Sequence, residues 1–188
     1  MSDVSEVIQE SIDNARENQL NSKIALFVAF IATVMAIFGI KSSNIAQNMS
    51  MVQAHTNDTW SYFQAKSTKQ SLSENTLQIL KLNPSASPEV LKKLEEKIVQ
   101  YEKEKEEIKQ KAEGLQKEYE QLNVFDDQFD MTEAFLSIAL SMFGLSALTQ
   151  KKWLFYFAMS MGGVGLFFGG AAFMHISLHS EFISSILG

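Results

Sequence analysis

The sequence predicts an all-α membrane protein in which three transmembrane helices carry a long, coiled-coil-like antiparallel helical hairpin between the first and the second. Three observations predict it. Residues 24–40, 134–150 and 153–174 contain no charged side chain, which is the signature of membrane spans. Residues 89–120 are, by contrast, more than half charged. Both prolines of the chain, Pro84 and Pro88, fall together in the middle of the polar stretch, where a hairpin must turn. A mean hydropathy of −0.04 over 188 residues averages this segregation away.

The elements follow in order. Residues 1–22 form a polar amino-terminal segment expected to be an amphipathic helix. Residues 23–41 are the first span. Its run IALFVAFIATVMAIFGI covers about 25 Å, a little under the ~30 Å hydrocarbon core. Lys23 and Lys41 bracket the run and can extend their amines to the headgroups. No small-residue cleavage site closes it, so it is expected to stay as an anchor rather than be removed as a leader.

Residues 42–130 are the hairpin, with its tip at 82–88. The outgoing arm, Ser42 to Leu82, has 41 residues and the returning arm, Pro88 to Asp130, has 43, enough for two helices of about 60 Å each. The returning arm carries a heptad stripe, Leu91, Leu94, Ile98, Tyr101, Lys105, Ile108, Ala112, Leu115, Tyr119 and Leu122, with Lys105 as its one polar break. Ser87 as cap, Pro88 at the first helical position and Glu89 beside the positive helix end mark its start. The outgoing stripe, Ile45, Met49, Val52, Thr56, Thr59 and Phe63, is weaker and fades into serines, lysines and glutamines, which predicts a break near Ser71. So thin a seam favours further helices from other copies packing alongside.

Residues 131–149 are the second span, 150–152 a short basic loop, 153–176 the third span and 177–188 a carboxyl-terminal tail. Lys151 and Lys152 followed by Trp153 and Tyr156 are the basic and aromatic pair of a membrane surface, and lysines in short loops favour the cytoplasmic side. The amino terminus then lies on that side, and the hairpin on the non-cytoplasmic one. A bacterial inner membrane is the expected location.

Small residues recur at spacings of four and three along each span: Ala25, Ala29, Ala32, Ala36 and Gly39 in the first, Ser137, Ser141 and Gly144 in the second, and Ala158, Gly162, Gly165, Gly169 and Ala172 in the third. In lipid, where van der Waals contact rather than hydrophobicity joins helices, such seams let backbones approach closely. Spacing does not say whether the seams pack within one chain or between copies.

The least generic stretch outside the spans is WSYFQAKSTKQ, residues 60–70. Its aromatics and lysines could stack on a base or clasp an anionic headgroup. The plainer reading puts Trp60 and Phe63 inside the hairpin and pairs Lys66 and Lys69 with glutamates of the returning arm, with Tyr62 among the packing residues. With YEKEKEEIKQKAE and LTQKKWLFY, this stretch resembles the bacterial family known as domain of unknown function 4337. The resemblance rests most on Trp60, Tyr62, Gln64, Ala65, Lys66, Ser67, Lys69 and Gln70 and covers most of the chain. It implies an architecture and carries over no functional residue.

Chemistry is sparsely signalled. The absence of cysteine excludes disulfides, thiolate metal sites and a cysteine nucleophile. A net charge of −6, with lysines alternating with glutamates, argues against a nucleic-acid partner. No zinc-protease, phosphate-loop or serine-elbow motif is present, so no enzymatic activity and no cofactor are expected. The spans lack a central acid or base, which argues against a proton- or ion-coupled carrier. One metal candidate follows from topology: Asp126, Asp127 and Asp130 would share a membrane face with His175 and His179, and histidines four apart suit zinc. The expected function is therefore a structural or scaffolding homo-oligomer in the lipid bilayer, its hairpin open to a protein partner. A homo-oligomeric channel is the alternative, and a metal-dependent membrane enzyme the weaker one.

Overall fold

In a computed structural model, which describes residues 2–178, the chain is helical throughout apart from short connections. The described residues form three helices: α1 (Ser2–Lys81), α2 (Pro88–Thr149) and α3 (Lys152–Phe173). All three are long and apolar enough to cross a membrane. The first two run to 80 and 62 residues, so each apolar run is one part of a longer helix and no break separates it from the polar arm.

Sequence explains the continuity. Between Ser2 and Lys81 there is no proline and a single glycine, Gly39. The break expected near Ser71 does not occur. The hydroxyls of Thr68, Ser73 and Thr76 donate to the carbonyls of Gln64, Lys69 and Leu72, one turn back, and Gln70 is tied to Glu74. These polar side chains satisfy the helix from within instead of competing with it.

The α1–α2 connection is closed by its own backbone. Asn83 Oδ1 accepts from the Ser85 amide (3.0 Å) and Asn83 O from the Ala86 amide (3.1 Å), an Asx turn before the helix-starting Pro88. The α2–α3 connection leaves only Gln150 and Lys151 outside the helices, one residue fewer than the loop 150–152 expected from sequence. Gln150 adopts a left-handed φ of 57° and donates its amide to Ser146 O (2.9 Å), ending α2 as glycine usually does. Its side chain holds the turn by donating to Ala147 O (2.7 Å) and Asn21 Oδ1 (3.1 Å). Helix α3 stops at Phe173, three residues before the expected Ile176. There His175, φ 58°, donates to Ala172 O and Ile176 to Ala171 O, a Schellman motif with histidine in the glycine position.

The chain divides into two compact units. One comprises the α1 portion up to Ala46 together with α2 and α3 from Asn123 onward. The other is Gln47–Leu122, the remainder of α1 and α2 and their turn. The first unit has an aromatic and aliphatic core in which Phe143, Leu136, Ala139 and Ala158 are fully buried. Each helix contributes one ring to a cluster of Phe27, Phe143 and Phe155, with centroids 5.6–6.0 Å apart. A second such cluster pairs Phe38 with Phe129 (5.9 Å) and Phe173 (6.3 Å).

Candidate functional site

Between the two ring clusters lies the small-residue face of α3. Ala158, Gly162, Gly165, Gly169 and Ala172 are all buried, and each glycine is occupied by a neighbour from α1 or α2. A methyl group at Gly162 would come within 3.1 Å of Ile31 Cδ1, one at Gly165 within 2.9 Å of Leu136, and one at Gly169 would run into the Phe38 ring and the Thr132 methyl. Missing side chains here are space for large ones opposite. The other two small-residue series behave differently. Ala25, Ala29, Ala32, Ala36 and Gly39 of α1 are exposed, as are Ser137, Ser141 and Gly144 of α2. Nothing lies within 4 Å of where a Cβ would stand on Gly39 or Gly144.

In the second unit the heptad stripe of α2 and the weaker stripe of α1 face each other. Met49, Val52, Thr56 and Ala112 are buried, and Trp60, Phe63, Leu115 and Tyr119 are half-buried. Trp60 meets Phe63 edge to face at 5.5 Å. Tyr62 stays 53% exposed at the rim. Where apolar residues run out, a polar clasp takes over. Lys66, with its side chain 14% exposed, pairs with Glu104 and sits over the rings of Tyr62 (5.4 Å) and Tyr101 (5.3 Å). Lys105, the polar break in the heptad, donates to Gln70 Oε1 (2.9 Å) and Glu102 Oε2 (3.2 Å) beneath the Phe63 ring (5.9 Å). Gln70 in turn donates to Glu102 and Glu74.

These contacts shift the titrations of the groups that make them. The hydrogen bond to Glu104 raises Lys66, against some desolvation. The bonds from Lys66 and Gln100 lower Glu104, and those from Gln70 and Lys105 lower Glu102. Lys69 points outward and reaches Glu104 only through its charge, so the expected pairing is made by Lys66 and not by Lys69. Lys105 shows in the sequence only as the polar break of the heptad, and that lysine in a core position was the available signal for the two glutamates, Glu102 and Glu104, that join it in the clasp.

Among the described residues the metal candidate is not assembled: no group of three or more histidines and carboxylates is placed to hold an ion. Asp126, Asp127 and Asp130 stand on consecutive turns of α2. Burial, then the charges of Asp130 and Asp127, raises the Asp126 carboxyl above its ordinary range. The His175 ring lies edge-on to Phe125 at 5.6 Å instead, and His179 lies outside the described residues. Nearby, Gln128 is buried. It donates to Ile176 O (3.3 Å), which holds the end of α3 against α2.

Three apolar helical runs, a glycine groove filled by large side chains and a polar-clasped hairpin define an all-helical protein with three helices able to cross a membrane. The chain belongs to the family described as domain of unknown function (DUF4337), whose profile matches residues 20–175. That match takes in both units. No curated protein and no solved structure matches the chain.

Proposed function

We propose that the protein is a non-enzymatic scaffold of a bacterial inner membrane. It self-associates through the bare small-residue faces of α1 and α2 and offers its charged hairpin, on the non-cytoplasmic side, to a protein partner. One observation carries the reading. Two small-residue series of the same four-and-three spacing, on α1 and α3, meet opposite fates within one chain: that of α3 is filled, that of α1 is uncovered. A face of alanines and glycine offers lipid little side-chain area but lets another helix approach closely. A second copy supplies such a helix.

Light scattering on the detergent-solubilised full chain tests this. The expected mass is a multiple of the 21.1 kDa protomer, and a strict monomer at micromolar concentration sinks the proposal. Ion flux through reconstituted vesicles separates scaffold from pore, since Ser137 and Ser141 are also exposed and a ring of copies could line a path with them. An inert bilayer is the expected result.

A further inference from the structure

At the end of the bundle where α2 turns into α3, a cavity of about 180 Å³ opens between α1 and α3. Helix α1 contributes Arg16, Gln19 and Lys23, and α3 contributes Lys152 and Tyr156, with Phe155 and Leu20 as its apolar floor. Residues 16, 19, 20 and 23 share one face of α1, and 152, 155 and 156 one face of α3, so helical spacing alone aims both sets into the same space. Among the described residues that line it, Lys23 and Lys152 bring the α1 and α3 charges to the same space, with Arg16 at its edge and no carboxylate.

The cavity is held open by its surroundings. Leu20 and Phe155 pack against the bundle core, and the Gln150–Asn21 hydrogen bond (3.1 Å) fixes the turn that carries Lys151 and Lys152 against α1. Helix α3 adds to the positive potential, because its first turn has no acidic residue and its N-cap, Lys151, makes no side-chain capping bond. Lys23 and Lys152 are also the last charges before the charge-free runs 24–40 and 153–174, which places them at the polar edge of the apolar slab.

We infer that this cavity binds the phosphodiester headgroup of an anionic glycerophospholipid, with the phosphate between Lys23 and Lys152 and the glycerol end against Phe155 and Tyr156. A zwitterionic lipid carries the same phosphate, but its ammonium group would have to sit beside these two lysines. Selectivity for net negative headgroups follows. The inference rests on the reading of α1 and α3 as membrane spans.

Trp153, 64% exposed and next to Lys152, is a built-in reporter, and Trp60→Phe makes it the sole tryptophan. The full chain carrying Trp60→Phe is reconstituted in vesicles, and its quenching by a brominated anionic phospholipid is compared with that by a brominated zwitterionic one. The expected result is stronger quenching by the anionic lipid. Removing both lysines in Lys23→Gln/Lys152→Gln should cut that preference by about fivefold or more, from the typical surface contribution of a lysine. Lys41→Gln, at the other end of the first run, should leave it unchanged, and retained quenching by the zwitterionic lipid shows that the double variant is still inserted. Equal quenching of the parent by both lipids overturns the inference. So does a preference that millimolar inorganic phosphate abolishes, which would assign the cavity to a soluble anion. If neither lipid quenches Trp153, the spanning assignment itself fails.

Discussion

Helices α1 and α3 carry the same signal and use it differently. Ala25, Ala29, Ala32, Ala36 and Gly39 repeat the spacing of Ala158, Gly162, Gly165, Gly169 and Ala172, yet the α1 series is exposed and the α3 series buried. The difference lies in what stands beside each series. Helix α1 turns Ile24, Phe27, Ile31, Met35 and Phe38 toward the bundle, a face of large side chains that needs a groove to enter. Helix α3 supplies the groove. A small-residue series therefore marks where a close approach can occur, while bulky residues elsewhere decide which helix makes it.

The largest expected effect comes from filling the groove that is already occupied. Gly169→Leu should destabilise the chain by about 3 kcal/mol or more, because the added side chain overlaps the Phe38 ring and Thr132. Gly165→Ala should cost about 1–3 kcal/mol, since Leu136 and the Phe135 Cβ leave no room for a methyl. At Gly162 the obstacle is the far end of Ile31, which can turn aside, so alanine there should cost least of the three. Unfolding in mixed micelles, followed by tryptophan fluorescence, gives the order, and equal costs at all three positions would mean that the groove is not what holds α3.

The opposite result is expected on the bare series. Ala32→Leu and Ala36→Leu point away from the core and should leave unfolding within about 0.5 kcal/mol of the parent. The mass in detergent should nonetheless fall to that of a single chain. If the variants keep the parent's mass, the α1 face is not the contact between copies.

The two series also show what could be read in advance. The three helices, the proline-marked turn and the heptad stripe are properties of local composition and period, and these the sequence carries openly. Partner choice is not local. Gly162 and Ala32 look alike until Ile31 is seen to fill one and nothing the other. The hairpin gives the same lesson. Lys105 stood out as a flaw in the stripe, but only the arrangement of Gln70 and Glu102 around it shows a layer of polar pairs that replaces apolar packing over those turns. The expected break near Ser71 failed for a related reason, because propensity alone does not record that serine and threonine hydroxyls can bond back along their own helix.

A smaller effect should follow from the clasp. Lys66→Met leaves Glu104 among half-buried groups without its cation, and Glu104→Gln leaves Lys66 without its anion. In a double-mutant cycle each single change should loosen the hairpin more than the two together. Hydrogen exchange of residues 60–110 in the full chain reads this directly, and strict additivity would show the pair to be incidental.

The same layer gives the hairpin a pH window. Glu102 and Glu104 titrate below their ordinary value of 4.5, so their contribution is full above that value and is lost as the pH falls through their lowered folded values. Lys66 titrates above 10.5, so its contribution is full below that value and is lost only as the pH rises past its raised one. Protection of residues 60–110 should fall as the pH drops below 4.5, while the apolar core of the first unit keeps its own. Uniform acceleration in both units would place the acid sensitivity elsewhere.

The smallest effect is the control for the whole comparison. Gly163 and Gly170 alternate with the seam glycines on α3, but nothing lies within 4 Å of a Cβ at either position. Alanine there meets open space and removes backbone freedom, so Gly163→Ala and Gly170→Ala should be neutral or stabilising by up to ~1 kcal/mol. Four glycines within eight residues, 162, 163, 165 and 169, would then separate by side of the helix alone. A loss of stability at Gly163 comparable to that at Gly165 would mean that α3 is held on a second face, and such a face could be covered only by lipid or by another copy.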